Sequence, residues 1–216
     1  METLALLLAD ARLPAAGHTQ SGGLEPGLAD GLAAADLPAY CRTRLGTVTR
    51  TEAATAVVAR HHARADLPLD AVEAAWAART PSDAMRATSR TLGRGLLRLA
   101  RRAWPPAVAG WASDAQPPRP LVLGAIAAET GLAAVSLARV VAYDDVQTVL
   151  AAALKLLPLD PADAAAWCVS LLPDVEVLAA GVAGLTRADE IPATGSPLIE
   201  GWAQAHARTT RRLFSA

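Results

Sequence analysis

Aromatic residues are scarce in this sequence of 216 residues, at 4%, and Phe214 is its only phenylalanine. A core rich in large rings is therefore excluded. Hydrophobic residues nevertheless make up 52% of the chain, which argues against an intrinsically disordered protein. The core is expected to consist of leucine, valine and alanine. Alanine favours helix directly, and its small side chain lets helix axes approach closely.

Cysteines and unbalanced charge are also lacking. Cys41 and Cys168 are the only cysteines and are far apart, so we expect neither a disulfide framework nor a thiolate metal cluster. This usage is typical of a cytoplasmic protein. The net charge is −1, with 20 basic and 21 acidic residues. General attraction to nucleic acid or to an anionic membrane is therefore not expected.

Segments of the membrane-spanning or secretory type are not indicated either. Residues 1–9 are apolar but lack the basic residues that precede the apolar part of a signal peptide. The longest apolar stretch, 121–143, contains Glu129 and Arg139, which are costly at the centre of a bilayer. We predict that it forms two buried helices and does not span a membrane.

Strand signals are nearly absent, whereas helical periodicity interrupted by proline and glycine dominates. We predict an all-α fold, with residues 1–216 forming a single compact domain of about nine to ten helices. Loops are predicted near residues 10–20, 104–120 and 186–196, and the last of these is expected to be mobile. The segments with the clearest helical patterns are 1–9, 51–65, 69–79, 82–103, 121–130, 133–157 and 198–213.

Capping residues and prolines predict several helix boundaries. Ser21 is a candidate N-cap for a helix that carries Leu24 on its apolar face. Asp36 is a second candidate N-cap. Asp160 precedes Pro161 and is predicted to open a helix that ends at Pro173.

The segment 82–103 shows the clearest amphipathic pattern. Its inward-facing stripe is predicted to consist of Met85, Leu92, Leu96 and Leu99. Six arginines mark its other faces: Arg86, Arg90, Arg94, Arg98, Arg101 and Arg102. This basic stripe either attracts an acidic partner or nucleic acid, or is simply a solvated helix face.

Motifs of catalysis and nucleotide binding are absent from the sequence. There is no GxxxxGK[ST], GxGxxG, HExxH or GxSxG pattern, so we do not expect an enzyme. His61 and His62 point about 100° apart if they lie on one helix, which disfavours a shared metal ion. His18 alone is an incomplete metal site.

Two segments are candidates for protein contacts. Ser21 to Glu25 contains adjacent glycines, which suit either a helix-start turn or a surface that another backbone approaches closely. The C-terminal segment Arg211 to Phe214 is amphipathic. Its phenylalanine is either a buried anchor or an exposed contact for a partner.

Five groups of residues, in order along the chain, resemble the urease accessory protein family UreF. They are Asp10-Ala11-Arg12-Leu13-Pro14 with Ser21-Gly22-Gly23-Leu24-Glu25; Arg86 to Arg90 with Gly93 and Leu97; Pro120 with Gly124; Lys155 to Leu159; and His206 with Arg212 to Ser215. The sequence departs from the family pattern at His18, Gln20, Asp160, Pro161 and Ala207.

The resemblance implies an all-α homodimer without a catalytic centre. Members bind an accessory protein of the D or H type, recruit the nickel-carrying G-type GTPase and dock on apo-urease, where they support formation of the carbamylated-lysine dinickel site. No permanently bound cofactor is implied, since nickel is handled by the complex. The residues expected to bind partners are Ser21, Gly22, Gly23, Leu24, Glu25, His206, Arg212, Leu213 and Phe214.

Two other functions are possible from the residues alone. The apolar helices of residues 121–157 could line a pocket of a small-molecule-binding regulator. A metal-dependent hydrolase would have to use His18, His61, His62 and His206, although no ligand spacing supports it.

Overall fold

The computed structural model describes residues 2–10, 13, 19–210 and 212–214. These residues form ten α-helices and no extended β-strand, which confirms the all-α prediction. The helices are α1 (Glu2–Leu8), α2 (Leu24–Ala29), α3 (Leu37–Gly46), α4 (Val48–Arg64), α5 (Asp70–Arg79), α6 (Asp83–Ala103), α7 (Arg119–Thr130), α8 (Ala134–Leu156), α9 (Pro161–Val182) and α10 (Pro197–Ala207). Short 3₁₀ helices lie at Ala34–Asp36, Pro105–Val108 and Ala188–Glu190.

Helix α4 lies at the centre of the fold and packs against both α7 and α8. Its contact with α7 is close because Gly124 faces small residues. A Cβ atom at Gly124 would lie 2.6 Å from the Cβ of Ala59 and 2.7 Å from the carbonyl oxygen of Ala56. This is the tight packing of helix axes that the alanine-rich composition predicts.

The remaining helices surround this centre. Helix α9 packs on α8 and α3, α6 packs on α7, and α10 packs on α6 and α2. Helices α3 and α5 each bury two large side chains, Tyr40 and Leu45 on α3 and Val72 and Trp76 on α5. Helix α10 thereby places the C-terminal segment beside the N-terminal end of α2.

The predicted caps have mixed outcomes. The prediction for Asp160 is confirmed, because a carboxylate oxygen of Asp160 accepts a hydrogen bond from the Ala162 amide at 2.8 Å. A further cap is Ser82, whose Oγ accepts a hydrogen bond from the Met85 amide at 3.3 Å. Ser21 is not the N-cap residue of α2, which is Gly23, but its Oγ accepts a hydrogen bond from the Glu25 amide in the first turn at 3.4 Å, so the predicted capping contact is present. Gly23 adopts φ of +80°, a left-handed conformation that glycine tolerates and other residues rarely adopt.

The predicted helix end at Pro173 is also wrong, because α9 continues from Pro161 to Val182. Pro173 lies on the exposed side of the helix, one turn after Val169, which is 66% exposed. A proline removes the hydrogen bond to the carbonyl four residues earlier, and on this side water can hydrate that carbonyl. The helix predicted to open at Asp160 therefore continues past Pro173 to Val182.

The buried side of α6 is rotated from the predicted stripe. Met85, Leu92 and Leu99 are only half-buried, and the fully buried positions are Ala84, Ser89, Gly93, Leu96, Leu97 and Ala100. The reason is Gly93, where the Pro117 carbonyl approaches so closely that a Cβ atom would not fit. Hydrophobicity alone does not show that a glycine marks the contact side.

The three predicted loops differ in outcome. Most of 10–20 lies outside the described residues, and 104–120 contains a 3₁₀ helix and the start of α7. The segment 186–196 lacks α-helix up to Ser196, as predicted for a loop, and it is anchored to α4 and the residue before it. Thr51 Oγ1 donates to the Pro192 carbonyl at 3.1 Å, Thr194 Oγ1 donates to the Thr47 carbonyl at 3.0 Å, and Ile191 is buried.

The apolar stretch 121–143 forms most of α7 and the start of α8, and both helices are buried as predicted. In the described part of the chain, α9 is the one helix long and apolar enough to cross a membrane by length and composition. Its buried side packs on α8 and α3, as in a helix of a globular core.

Candidate partner-binding site

The turn before α2 folds against the centre of the protein through its two glycines. Gly22 and Gly23 have φ of +60° and +80°, and the Tyr40 hydroxyl donates to the Gly22 carbonyl at 2.7 Å. A Cβ at Gly22 would lie 2.9 Å from Val149 Cγ2. The glycines therefore serve both a helix-start turn and a close approach, made here by side chains of the same chain.

The buried Arg44 forms a hydrogen bond to this turn from the interior of the protein. Arg44 Nη1 donates to the Gly22 carbonyl at 2.6 Å, while Nε and Nη2 donate to the two carboxylate oxygens of Asp145 at 2.9 and 2.6 Å. Thr49 Oγ1 also donates to Asp145, at 2.8 Å. Burial would lower the pKa of Arg44, but the Asp145 carboxylate outweighs burial and leaves that pKa above its usual value.

The C-terminal segment is attached to the same turn. Glu25, in the first turn of α2, accepts hydrogen bonds from the amides of Leu213 and Phe214 at 2.7 and 2.9 Å. His206 Nε2 lies 3.2 Å from the Phe214 carbonyl oxygen and 3.5 Å from Glu25 Oε2. Because both neighbours are acceptors, Nε2 carries the proton.

Phe214 is the buried anchor of this segment, with 5% of its surface exposed. Lys155, the only lysine of the chain, lies with Nζ 5.2 Å from the centre of its ring, a cation–π distance. Of the two roles left open for Phe214 by the sequence, the structure favours the anchor over the exposed contact. The neighbouring Leu213 is 63% exposed instead.

The two predicted contact segments therefore form one surface. Leu24, Ser21, His206 and Phe214 are buried and support it from within. Gly22, Gly23 and Glu25 are partly exposed, and Arg212 and Leu213 are exposed. Only this second group is available to touch another protein.

A cavity of about 160 Å³ lies behind this surface. Leu123 and Val141 supply apolar walls, and Glu52 and Arg119 are among the charged groups that line it. Arg119 is paired with Asp144, with Nη2 donating to a carboxylate oxygen at 2.8 Å.

Glu52 carries a partly buried carboxyl group that lines this cavity. Trp76 Nε1 donates to its Oε1 at 2.6 Å. Burial raises the pKa of Glu52, and the Trp76 hydrogen bond opposes only part of that increase. A carboxyl group of this kind retains its proton to higher pH than an exposed glutamate.

The histidines do not form a metal cluster among the described residues, in which no group of three or more His, Cys, Asp or Glu side chains could hold a metal ion. His61 and His62 have ring centres 6.3 Å apart at 71°, and His62 Nδ1 lies 2.9 Å from the Pro68 carbonyl oxygen. His206 is used in the tail contact. His18 lies outside the described residues.

Several residues that build the site were not identified from the sequence. Arg44 and Asp145 are separated by 101 positions, and neither belongs to a recognisable motif. Tyr40 and Lys155 also contact segments far from their own. The family resemblance marked Lys155, but neither it nor the presence of a single lysine and a single phenylalanine showed that Lys155 and Phe214 are neighbours.

Comparison with known proteins agrees with this architecture. A family model described as UreF matches residues 32–172. The urease accessory protein UreF of Mycolicibacterium vanbaalenii is 40% identical over 217 residues, covering 98% of this chain and 97% of its own. Those of Mycobacterium marinum and Mycobacterium tuberculosis are 38% and 37% identical, covering 99–100% of each chain. The chain therefore belongs to the UreF family.

Proposed function

We propose that this chain is a non-catalytic scaffold of urease maturation. It bridges a D/H-type accessory protein and the nickel-carrying G-type GTPase, and the assembly delivers nickel to apo-urease in the cytoplasm. Nickel is the cargo of the complex, and the chain itself holds no permanent cofactor. Membership of the UreF family, whose relatives are named urease accessory proteins, supports a role in urease maturation.

One observation carries the bridging proposal: Glu25 holds the backbone of Leu213 and Phe214 on the glycine turn. With Phe214 buried, the exposed Leu213 side chain is held beside Arg212 in a fixed position. A preformed surface loses little conformational entropy on binding, and arginine is among the residues enriched at the energetic centres of interfaces. We assign this tail surface to the D/H-type partner.

The homodimer and the docking on apo-urease belong to the same proposal. Helix α1 presents Leu6 and Leu7 at 73% and 46% exposure. Exposed leucines side by side on a short helix favour burial against another polypeptide.

Deletion of residues 208–216 tests the tail surface. We expect the truncated chain to keep its helical circular dichroism spectrum, because α10 ends at Ala207. Binding to the purified D/H-type partner should be abolished, since the arginine, the leucine and the anchor are all removed. Normal co-purification of the truncated chain with that partner would contradict the assignment.

A point substitution separates surface chemistry from tail anchoring. Leu213→Asp should weaken the same interaction at least about tenfold, which is about 1.4 kcal/mol, while Glu25 still holds the backbone. The matched control is Leu67→Asp, at a leucine that is 46% exposed after α4. Equal affinity of the two variants would exclude Leu213 from the interface.

The cavity of about 160 Å³ favours a second candidate function, a regulator that binds a small molecule. Apolar walls with a few convergent polar groups are typical of ligand sites. A rise in thermal stability with a metabolite, in the absence of any protein partner, would support this function. A metal-dependent hydrolase would require tight stoichiometric metal binding by the isolated chain.

A further inference from the structure

The six arginines of α6 fall into two groups in the folded protein. Arg86, Arg90 and Arg101 are engaged: Arg90 donates to Glu73 at 2.6 Å and to the Gln116 carbonyl at 2.7 Å, and Arg101 donates to the Ser113 carbonyl at 3.0 Å. Arg86 donates to the Thr80 carbonyl and to Asp83. These three arginines tie neighbouring loops to the helix.

Arg94, Arg98 and Arg102 are exposed, and none of them forms a hydrogen bond or an ion pair among the described residues. They are spaced four residues apart and lie along about 12 Å of one side of α6. We call this set the arginine row. Like charges at this spacing repel one another, so the arginines of the row do not stabilise each other.

The row lies on a strongly basic helix of a protein whose overall net charge is slightly negative. Helix α6 carries six arginines and one acidic residue, Asp83, whereas the whole chain has a net charge of −1. The rest of the protein is therefore net acidic. Positive charge that is concentrated on one helix side attracts an anionic partner to that side alone.

We propose that the arginine row is a docking surface for an acidic helix of a partner protein. Carboxylates at every fourth position of a helix repeat at the same distance as the arginines. Each guanidinium can hold a carboxylate through two parallel hydrogen bonds. Leu99, half-buried beside the row, offers apolar contact for the stems of the partner's side chains.

A nucleic acid fits the row less well. An extended polyanion continues past 12 Å and meets the net acidic remainder of the protein, which repels it. A short acidic helix ends where the row ends.

The row is distinct from the tail surface, because α10 meets α6 at its other end, where Gln204 accepts from the Ala84 amide. The proposal therefore does not depend on the bridging role.

The first test uses the native chain and two labelled peptides. One is a side-chain-stapled, alanine-based helix with three glutamates at every fourth position, and the other carries glutamines there. By fluorescence anisotropy at low salt, we expect the glutamate peptide to bind at least about tenfold more tightly. Its affinity should fall as salt is raised. Equal affinity for both peptides would overturn the proposal.

The second test places the binding on α6. The variant Arg94→Gln/Arg98→Gln/Arg102→Gln should lose at least about tenfold in affinity for the glutamate peptide. The control Arg42→Gln/Arg139→Gln/Arg187→Gln makes the same change in net charge at exposed arginines that are ion-paired elsewhere. The control should change affinity less than about twofold, and an equal loss in both variants would mean that only net charge matters.

The same assay separates the classes of partner. A single-stranded oligonucleotide of twelve nucleotides, with its label at the same end, should bind more weakly than the glutamate peptide. Tighter binding of the oligonucleotide would overturn the proposal in favour of a nucleic acid. Far-UV circular dichroism checks the fold of each variant, and the comparison of the two peptides needs no variant at all.

Discussion

Arg44 connects the glycine turn to the centre of the helical bundle. One side of its guanidinium reaches the Gly22 carbonyl and the other pairs with Asp145 on α8. The glycine turn in turn positions Glu25, which holds the tail. A chain of hydrogen bonds thus links the interior to the tail surface.

Cys41 lies beside this network and is predicted to be unreactive. Burial, with a further contribution from the Asp145 charge, raises the pKa of the Cys41 thiol to about 12. Near pH 8 the thiolate, which is the reactive form, is then about one part in ten thousand. We expect iodoacetamide to label Cys41 at least about a hundredfold more slowly in the folded protein than in concentrated urea.

Mass spectrometry of timed samples measures this labelling, and Cys168 is the internal comparison. Its thiol pKa is also raised by burial, but it lies closer to the surface at 8% exposure, against 1% for Cys41. Cys168 should therefore react first. Labelling of Cys41 at the unfolded rate would show that α3 opens readily.

Glu52 makes stability depend on pH. Burial raises its pKa in the folded state, so the folded protein binds this proton more tightly than the unfolded chain does. The contribution of Glu52 to the free energy of unfolding therefore falls as pH rises from about 4.3, the ordinary glutamate value, through the raised value. Each unit of increase corresponds to about 1.4 kcal/mol.

The substitution Glu52→Gln removes this titration and keeps an acceptor for Trp76. Relative to the native chain, the variant should gain stability between pH 4 and pH 7.5, as measured by urea unfolding. Glu129→Gln, at an exposed carboxylate on α7, is the matched control for the loss of one carboxylate. A stability change in Glu52→Gln that follows that of the control at every pH would mean that Glu52 is not desolvated.

At the residue scale, the sequence singled out the two contact segments but did not predict that they contact each other. The resemblance singled out Glu25, His206 and Phe214, and the structure joins them directly. It could not show that Glu25 would accept the tail amides, because a contact across 189 positions has no local pattern. Arg44 and Asp145 were missed for the same reason.

At the scale of elements, the contact of α4 with α7 depends on Gly124. Gly124→Ala should lower the free energy of unfolding by about 1–3 kcal/mol, because its Cβ would meet Ala59 at 2.6 Å. Urea unfolding measures the change. Gly201→Ala on α10 is the matched control, since no atom lies within 4 Å of its Cβ position, and it should gain about 0.5–1 kcal/mol. A change of the same sign in the free energy of unfolding of both variants would contradict this packing.

Helix positions were largely predictable, because leucine and alanine periodicity is a local property. The extents of α5, α7 and α8 differ from the prediction by one or two residues. The failures at Pro173 and along α6 have tertiary causes. Pro173 does not end α9, because it lies on the exposed side of that helix. The buried side of α6 is set by the close approach of the Pro117 carbonyl to Gly93.

At the scale of the whole molecule, the two surfaces lie on different parts of the helical bundle. The tail surface lies where α2 and α10 meet, and the arginine row lies along the far half of α6. A scaffold with separate surfaces can hold two polypeptides at once, and the gain in effective concentration requires that both bind simultaneously.

Light scattering on a size-exclusion column tests the scaffold role most directly. The purified D/H-type protein and the G-type GTPase, mixed with nickel and GTP, should remain separate in the absence of this chain. Adding the chain should bring all three into one peak whose mass is their sum in whole-number ratios. Association of the other two without the chain, or a mixture in which the chain binds only one of them, would contradict the account.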